Sequence, residues 1–377
     1  MNTSRPPPKR LLLLTTEIFA NGGIQRFNQT VLAAYGGCDV TCRVLSLNDD
    51  PRSAAGAVSY PNITVSGFSG RRGQFSLGVL RAVWGSRFDW VLVGHINFLG
   101  FAVAALALKF FRRNTPIALF AHGIEVWSGI GYLRRLALSR TRKILCVSRY
   151  TRRRILDQVP RIPQERLVLF PNALSESWRS AARDEPAQPV PNRFILSVTR
   201  LEKSDRYKGI VTVIEALCML SDEGMHYCVI GSGNDSSFLQ QVAKRCGVRH
   251  RVHFLPGTKD AELISYYERC AAFVLPSGRE GFGIVFLEAM YFGAPVIAAK
   301  EKGALDVVRD QETGLLVRFG DCLALKDAIE RLGADLELRE RLRVAARATV
   351  NGRGPFTFAR FAERCADVLE LGESQTA

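Results

Sequence analysis

The chain has 377 residues, 47% of them apolar and 23% charged, a globular composition that excludes a disordered or fibrous protein and suits two domains. Its net charge is +15, with 24 Lys+Arg against 8 Asp+Glu in residues 1–172 and 27 against 28 thereafter, so the basic excess lies in the first half, where it suits a phosphate-seeking surface or a solvated helical face equally well. No apolar run reaches the ~20 residues of a spanning helix: the longest candidate, 98–111, contains Lys109, and the run 11–14 after the basic start is too short for a signal-peptide core.

Taken in order, the first half alternates apolar runs with helical periods. Strands are expected at 11–15, 40–46, 90–94, 116–121, 143–147 and 167–170, and helices near 25–35, 98–110, 133–139 and 149–158. Such alternation implies βαβ units around a parallel sheet. Asn21, Gly22 and Gly23 follow the first strand and open a helix, where backbone approaches a ligand easily and a helix start favours an anion; a plain tight turn explains them as well. His122 and Glu125 follow the apolar run 117–121, again at a strand's carboxyl end.

Residues 183–192, RDEPAQPVPN, read as a linker, which divides the chain into domains 1–182 and 193–377. The pattern then restarts with strands at 194–198, 227–230, 252–254, 272–275, 296–299 and 315–317, and helices near 211–220, 238–246, 261–269 and 284–292. Amphipathic helices follow residue 321. The expected fold is α/β, two doubly wound Rossmann-like domains facing an interdomain cleft, because open parallel sheets bind ligands at their strands' carboxyl ends.

The second half carries the denser motifs. Arg200 closes its first strand, and Lys208-Gly209 opens the next helix, placing two cations at a strand end. Gly231 and Gly233 follow the next strand but lack the third glycine of a dinucleotide fingerprint. Glu280-Gly281-Phe282-Gly283 leads into a helix that carries Glu288, eight positions after the first acid. An acid within the apolar stretch FLEAMYF needs a partner, either a ligand hydroxyl pair or a structural ion pair. The nine cysteines are odd in number and contain no C-x-x-C, and the histidines (95, 122, 226, 250 and 253) lack ligand spacing, so neither a disulfide framework nor a protein-held metal is expected.

Together, Gly22-Gly23, His122 to Glu125, Arg200 with Lys208-Gly209, and Glu280-Gly-Phe-Gly-x4-Glu288 resemble the retaining GT-B glycosyltransferases of family GT4. The likeness runs from about residue 11 to 317, with a longer Arg200-to-Lys208 interval than usual, a small insertion near 204–207. The resemblance implies a nucleotide-sugar donor. Arg200 and Lys208 would neutralise its diphosphate, with Lys203 as the rival of Lys208. Glu280 would hold sugar hydroxyls near the Phe282 and Gly283 amides, and Glu288 the ribose. His122 would sit beside the reacting sugar, and Gly22 and Gly23 near the phosphate. The base would lie near Gly231, Gly233 and residues 256–259, and Glu125 would face the acceptor.

The function expected is hexose transfer with retention, from GDP-mannose in preference or from a UDP-hexose, onto a lipid-linked or membrane-held glycan in polysaccharide or glycolipid synthesis. No Asp-x-Asp occurs, so no metal cofactor is expected. The enzyme would lie on the inner face of the membrane, its basic half on the anionic surface. A soluble acceptor and a non-catalytic sugar-nucleotide binder are the alternatives. Nucleic-acid binding is disfavoured, because the basic excess stops at the domain boundary and no recognition motif accompanies it.

Overall fold

The computed structural model describes residues 7–20, 22–56, 59–108, 115–176, 178, 181–186 and 190–370. The chain divides into two compact units, Met1–Ser175 with Phe358–Ala377, and Glu176–Thr357.

The first unit is built on a seven-stranded sheet of strands β1 (Lys9–Thr15), β2 (Val40–Ser46), β3 (Ile63–Gly67), β4 (Trp90–Val93), β5 (Ile117–Ala121), β6 (Lys143–Cys146) and β7 (Leu167–Leu169), in the order β3-β2-β1-β4-β5-β6-β7. Every pairing is parallel. Leu11 to Leu14 and Leu119 to Ala121 are fully buried. Their unbroken apolar runs are those of strands covered on both faces. Strand β3 and the helix Arg72–Gly85 lie outside the elements expected from sequence. That helix has Gly73, Gly78 and Gly85 in its length, which blur both its period and its propensity.

The second unit has a six-stranded parallel sheet of β8 (Phe194–Val198), β9 (His226–Ile230), β10 (Val252–Leu255), β11 (Ala272–Leu275), β12 (Val296–Ala299) and β13 (Leu315–Val317), ordered β10-β9-β8-β11-β12-β13. Both orders reverse beside the first strand of the unit, β1 or β8, which puts loops from neighbouring strands at one switch point.

Two boundaries differ from the sequence reading. Residues 183–186 do not hang free as a linker. Arg183 pairs with Glu268 at 2.9 Å, the Asp184 amide donates to Ala261, and its carbonyl accepts from Ser265. The segment therefore lies along the helix Asp260–Arg269, and the division falls at 175/176. The last helix, Phe358–Val368, belongs to the first unit, not to the second. Phe361 packs edge-on against Phe27 (centroids 5.7 Å) and Phe170 (5.1 Å). Lys9 donates to the Leu369 carbonyl at 2.6 Å, and Lys143 to that of Val368 at 2.8 Å. Cations on the last carbonyls of a helix satisfy both orphan acceptors and dipole.

Phe361 fills an aromatic cluster, so Phe361→Ala leaves a cavity and should lower the stability of the first unit by about 3–5 kcal/mol. Hydrogen exchange checks this. Protection should fall in β1 and the helix Gly23–Gly36 but hold in β11 and β12.

Candidate functional site

In the second unit, three loops meet at the carboxyl ends of β8, β9 and β11. The loop after β8 carries Arg200 and winds into a 3-10 helix, Lys203–Lys208, formed by the inserted stretch. Gly209 ends it with φ +80°, and a Cβ there would lie 2.5 Å from the Pro276 carbonyl oxygen, so only glycine brings this backbone against the end of β11. The Gly278 amide donates to the Tyr207 carbonyl at 2.7 Å and fastens the same junction. A Cβ at Gly231 would overlap the Thr199 carbonyl, and one at Gly233 that of Leu201. The two glycines thus let the β9 loop run against the β8 loop, with the Leu201 amide donating to the Ser232 carbonyl at 2.9 Å.

This packing sets Lys208 beside Glu280. Lys208 Nζ donates to Glu280 Oε2 at 2.7 Å, with the two side chains only 17% and 13% exposed. Removing both charges from water costs several kcal/mol each, so the pair persists only with close geometry or with a ligand to share it. Lys302, which sequence reasoning did not single out, donates its Nζ to the Gly278 carbonyl, and the Gly303 amide donates to the Glu280 carbonyl at 3.0 Å. Arg200, 70% exposed, pairs with the buried Asp205 at 3.0 Å. Lys203 lies at the outer start of the 3-10 helix, its amide on Asn234 Oδ1 at 3.0 Å.

Gly283 precedes the helix Ile284–Phe292, and a Cβ on it would lie 3.3 Å from Glu280 Cγ, so the helix start lies close to that side chain. The Phe282 side chain is buried against Phe356 (centroids 5.6 Å), which leaves only its backbone to face a ligand. Glu288 lies deeper, 1% exposed, and Oε2 accepts from the Tyr267 hydroxyl at 2.9 Å. The partner anticipated for this acid is thus supplied at least in part by Tyr267.

The first unit builds its own cluster. His122 Nε2 meets the Gly94 carbonyl at 3.0 Å. A carbonyl only accepts, so the proton resides on Nε2 and Nδ1 keeps its lone pair. Burial, only partly offset by that bond, lowers the pKa of the ring to about 4. The imidazole packs edge-on to Phe27 (4.8 Å, 80°), on the helix that Gly22 and Gly23 open. Space at Gly22 is taken by Gln25, whereas a Cβ at Gly23 would meet nothing within 4 Å. Asn21 lies outside the described residues. Asp49 shapes the loop after β1, accepting from the amides of Ile18 (2.8 Å) and Phe19 (3.3 Å) and from Ser46. Glu125 Oε1 accepts from the amides of His122 (2.6 Å) and Gly123 (3.1 Å), so it shapes the turn that carries the histidine. His95 stands at the end of β4 as His122 does at the end of β5. It caps the helix Ile96–Ala107 through Asn97, and burial lowers its pKa, with Glu125, His122 and Arg134 close enough to act on it. Its position directly after a strand was the available signal; the sequence reading weighed it only as a metal ligand.

Two family models match consecutive parts of the chain, "Glycosyltransferase Family 4" over 21–177 and "Glycosyl transferases group 1" over 179–349. The chain belongs to glycosyltransferase family 4, the group 1 glycosyl transferases. A D-inositol 3-phosphate glycosyltransferase of Xylanimonas cellulosilytica is 36% identical over 174 residues, 45% of this chain and 41% of that protein. A lipopolysaccharide core biosynthesis glycosyltransferase of Rhizobium meliloti is 34% identical over 146 residues, 39% and 42% of the two. The chain thus spans about two fifths of the length of these relatives. Anabaena HepE, solved in complex with UDP, superposes with a TM-score of 0.76 at 19% identity over 96% of this chain and 99% of that one. The GT-B fold read from the sequence is borne out.

In this family 4 chain His122 is neutral at physiological pH. The unfolded chain takes up the proton near pH 6.5 and the folded chain only near 4, so stability is lost as pH falls between those values. Ring 15N shifts from NMR should report one Nε2–H tautomer from pH 5.5 to 8. A His122 titration midpoint above 6 would contradict this assignment.

Proposed function

We propose that the protein transfers a hexose, with retention, from a nucleoside diphosphate sugar to a lipid-linked or membrane-held glycan, without a metal cofactor. GDP-mannose is the favoured donor and a UDP-hexose the second choice. The observation that carries the reading is the Lys208–Glu280 pair, a largely buried cation and carboxylate in contact at a switch point. A sugar diphosphate needs both groups, an ammonium for phosphate oxygens and a carboxylate for ring hydroxyls. Family membership supports the reading, as do the names of the relatives.

On this reading Lys208 and Arg200 take up the charge that develops on the departing diphosphate, and the first amides of Ile284–Phe292 add the helix dipole. Glu280 holds the hexose by its hydroxyls. Glu288 fixes the ribose through the oxygen edge that Tyr267 orients. The backbone around Gly231 and Gly233 borders the base. The lone pair on His122 Nδ1 accepts from a sugar hydroxyl, with Gly23 leaving room for the phosphate. The acidic side chain beside His122 is Glu125, which the amides of His122 and Gly123 engage, so its part is to hold the turn against the acceptor and not to act as a nucleophile. Retention then proceeds on the front face, the leaving phosphate oxygen accepting the proton of the incoming hydroxyl.

The charge and the helix Tyr132–Ser139 support a membrane-held acceptor. Ala137 and Leu138 face the core, but Tyr132, Leu133 and Leu136 are 79%, 76% and 48% exposed among exposed Arg134, Arg135, Arg140 and Arg142. An apolar edge flanked by arginines suits an anionic interface, each cation adding about 1 kcal/mol. Arg154 contributes less, because it donates to the Trp127 carbonyl at 2.8 Å. The contact proposed is peripheral, at the inner face; among the described residues no helix is long and apolar enough to cross a membrane.

A thermal-shift screen of nucleotide sugars identifies the donor, since ligand at a hundred times its Kd adds about 2.7 kcal/mol to stability. With that donor, Glu280→Gln and Lys208→Gln should each lower kcat/KM by about 10²–10³ while both remain folded. Arg200→Lys should cost about tenfold, because an ammonium cannot replace a planar fork. Wild-type turnover by the Glu280 and Lys208 variants would refute the assignment. Flotation with phosphatidylglycerol vesicles should carry the wild type upward at low salt and not at high salt. Leu133→Ser with Leu136→Ser, or Arg134, Arg135, Arg140 and Arg142 changed to Gln, should leave it at the bottom; equal binding to neutral vesicles would contradict the electrostatic part.

A further inference from the structure

The stretch Asp205-Arg206-Tyr207 lengthens the interval between the two cations of the proposed donor site, and its side chains bridge the loops on either side. Asp205 is 6% exposed. Its Oδ2 lies 3.0 Å from Arg200 Nη2, an ion pair rather than a hydrogen bond, and Oδ1 accepts from the Tyr207 hydroxyl at 2.9 Å. Burial, with Asp205 beside it, raises the pKa of that hydroxyl, which stays protonated and able to donate. Tyr207 is itself bound to the neighbouring loop, where the Gly278 amide donates to its carbonyl at 2.7 Å. Arg206 grips the β9 loop through a fork on Asp235 (Nε–Oδ2 2.8 Å, Nη2–Oδ1 2.6 Å), and its guanidinium lies 3.8 Å from the Phe238 ring centroid. Asp235 is 2% exposed, so this anchor is rigid. Arg200 by contrast is 70% exposed and would sample many rotamers if Asp205 let it go.

We propose that Asp205, braced by Tyr207 and by the Arg206–Asp235 anchor, is a positioning residue that holds Arg200 ready for the donor diphosphate. The proposal rests on the reading of Arg200 as a diphosphate ligand. It adds that the insertion supplies the group that fixes Arg200 in advance, so that little side-chain freedom remains to be lost on binding. The carboxylate contacts Nη2 of the guanidinium, and the arginine side chain remains 70% exposed.

The test is a double-mutant cycle read by titration calorimetry with UDP and GDP as probes. Whichever diphosphate binds, Asp205→Asn should weaken it five- to tenfold in the wild-type background and less than twofold in an Arg200→Ala background. Tyr207→Phe, a milder change that keeps the fold even if the Asp205 variant does not, should weaken binding two- to threefold under the same dependence on Arg200. The matching nucleosides, uridine and guanosine, should bind all four proteins of the cycle alike. Equal loss in both backgrounds would make Asp205 a structural residue and overturn the proposal. Tighter or unchanged binding by Asp205→Asn would make the carboxylate a competitor of phosphate and also overturn it. Wild type that binds neither diphosphate would overturn the underlying donor-site reading, and the proposal with it, a result distinct from either of the others.

Discussion

A lysine and a glutamate held 2.7 Å apart, each little exposed, govern how the second unit is built. Either charge left alone where it lies is unfavourable, because a desolvated ion without a partner costs free energy. Gly209 must therefore bring the backbone of Lys208 against the end of β11, and the Gly303 amide and the Lys302 ammonium must hold the loop of Glu280. What looks like a collection of separate loop contacts serves one electrostatic requirement. The same pair suits the proposed donor, which offers phosphate to the lysine and hydroxyls to the glutamate, so that binding exchanges one satisfied arrangement for another.

The first unit follows a different logic. Its histidine is neutral: the imidazole of His122, tied to Gly94 and set against Phe27, keeps its proton on one nitrogen and a lone pair on the other. Glu125 contributes by holding the turn through two amides. A neutral imidazole of this kind can accept a hydrogen bond without carrying a charge.

Much of this was legible in the sequence because parallel strands buried on both faces are written as unbroken apolar runs. β8, β11, β12, β13 and the helix Ile284–Phe292 have the bounds that local pattern suggests. The positions of Arg200, Lys208, Glu280 and His122 at strand ends follow from the same pattern. What escaped is nonlocal. The amphipathic stripe of Phe358–Val368 reads the same whichever sheet it covers, and contacts made in the folded chain, with Phe27, Phe170, Lys9 and Lys143, decide the matter. The polar, proline-rich segment at 183–192 has the composition of a linker, yet Arg183 and Asp184 find partners some eighty residues away. The tyrosine that meets Glu288 lies 21 positions before it and has no signature beyond being a tyrosine. Asp205 was visible only as part of an insertion, since its role depends on which side chains the 3-10 helix turns toward it.

On the proposed reading Lys208 and Glu280 exchange each other for the two ends of a sugar diphosphate. A crystal structure of the protein soaked with its nucleoside diphosphate hexose decides this. Lys208 Nζ should then be within hydrogen-bond distance of a phosphate oxygen and the Glu280 carboxylate on hexose hydroxyls, with the Asp205–Arg200 pair still in place. An intact Lys208–Glu280 bond with the nucleotide sugar bound elsewhere on the molecule would contradict it.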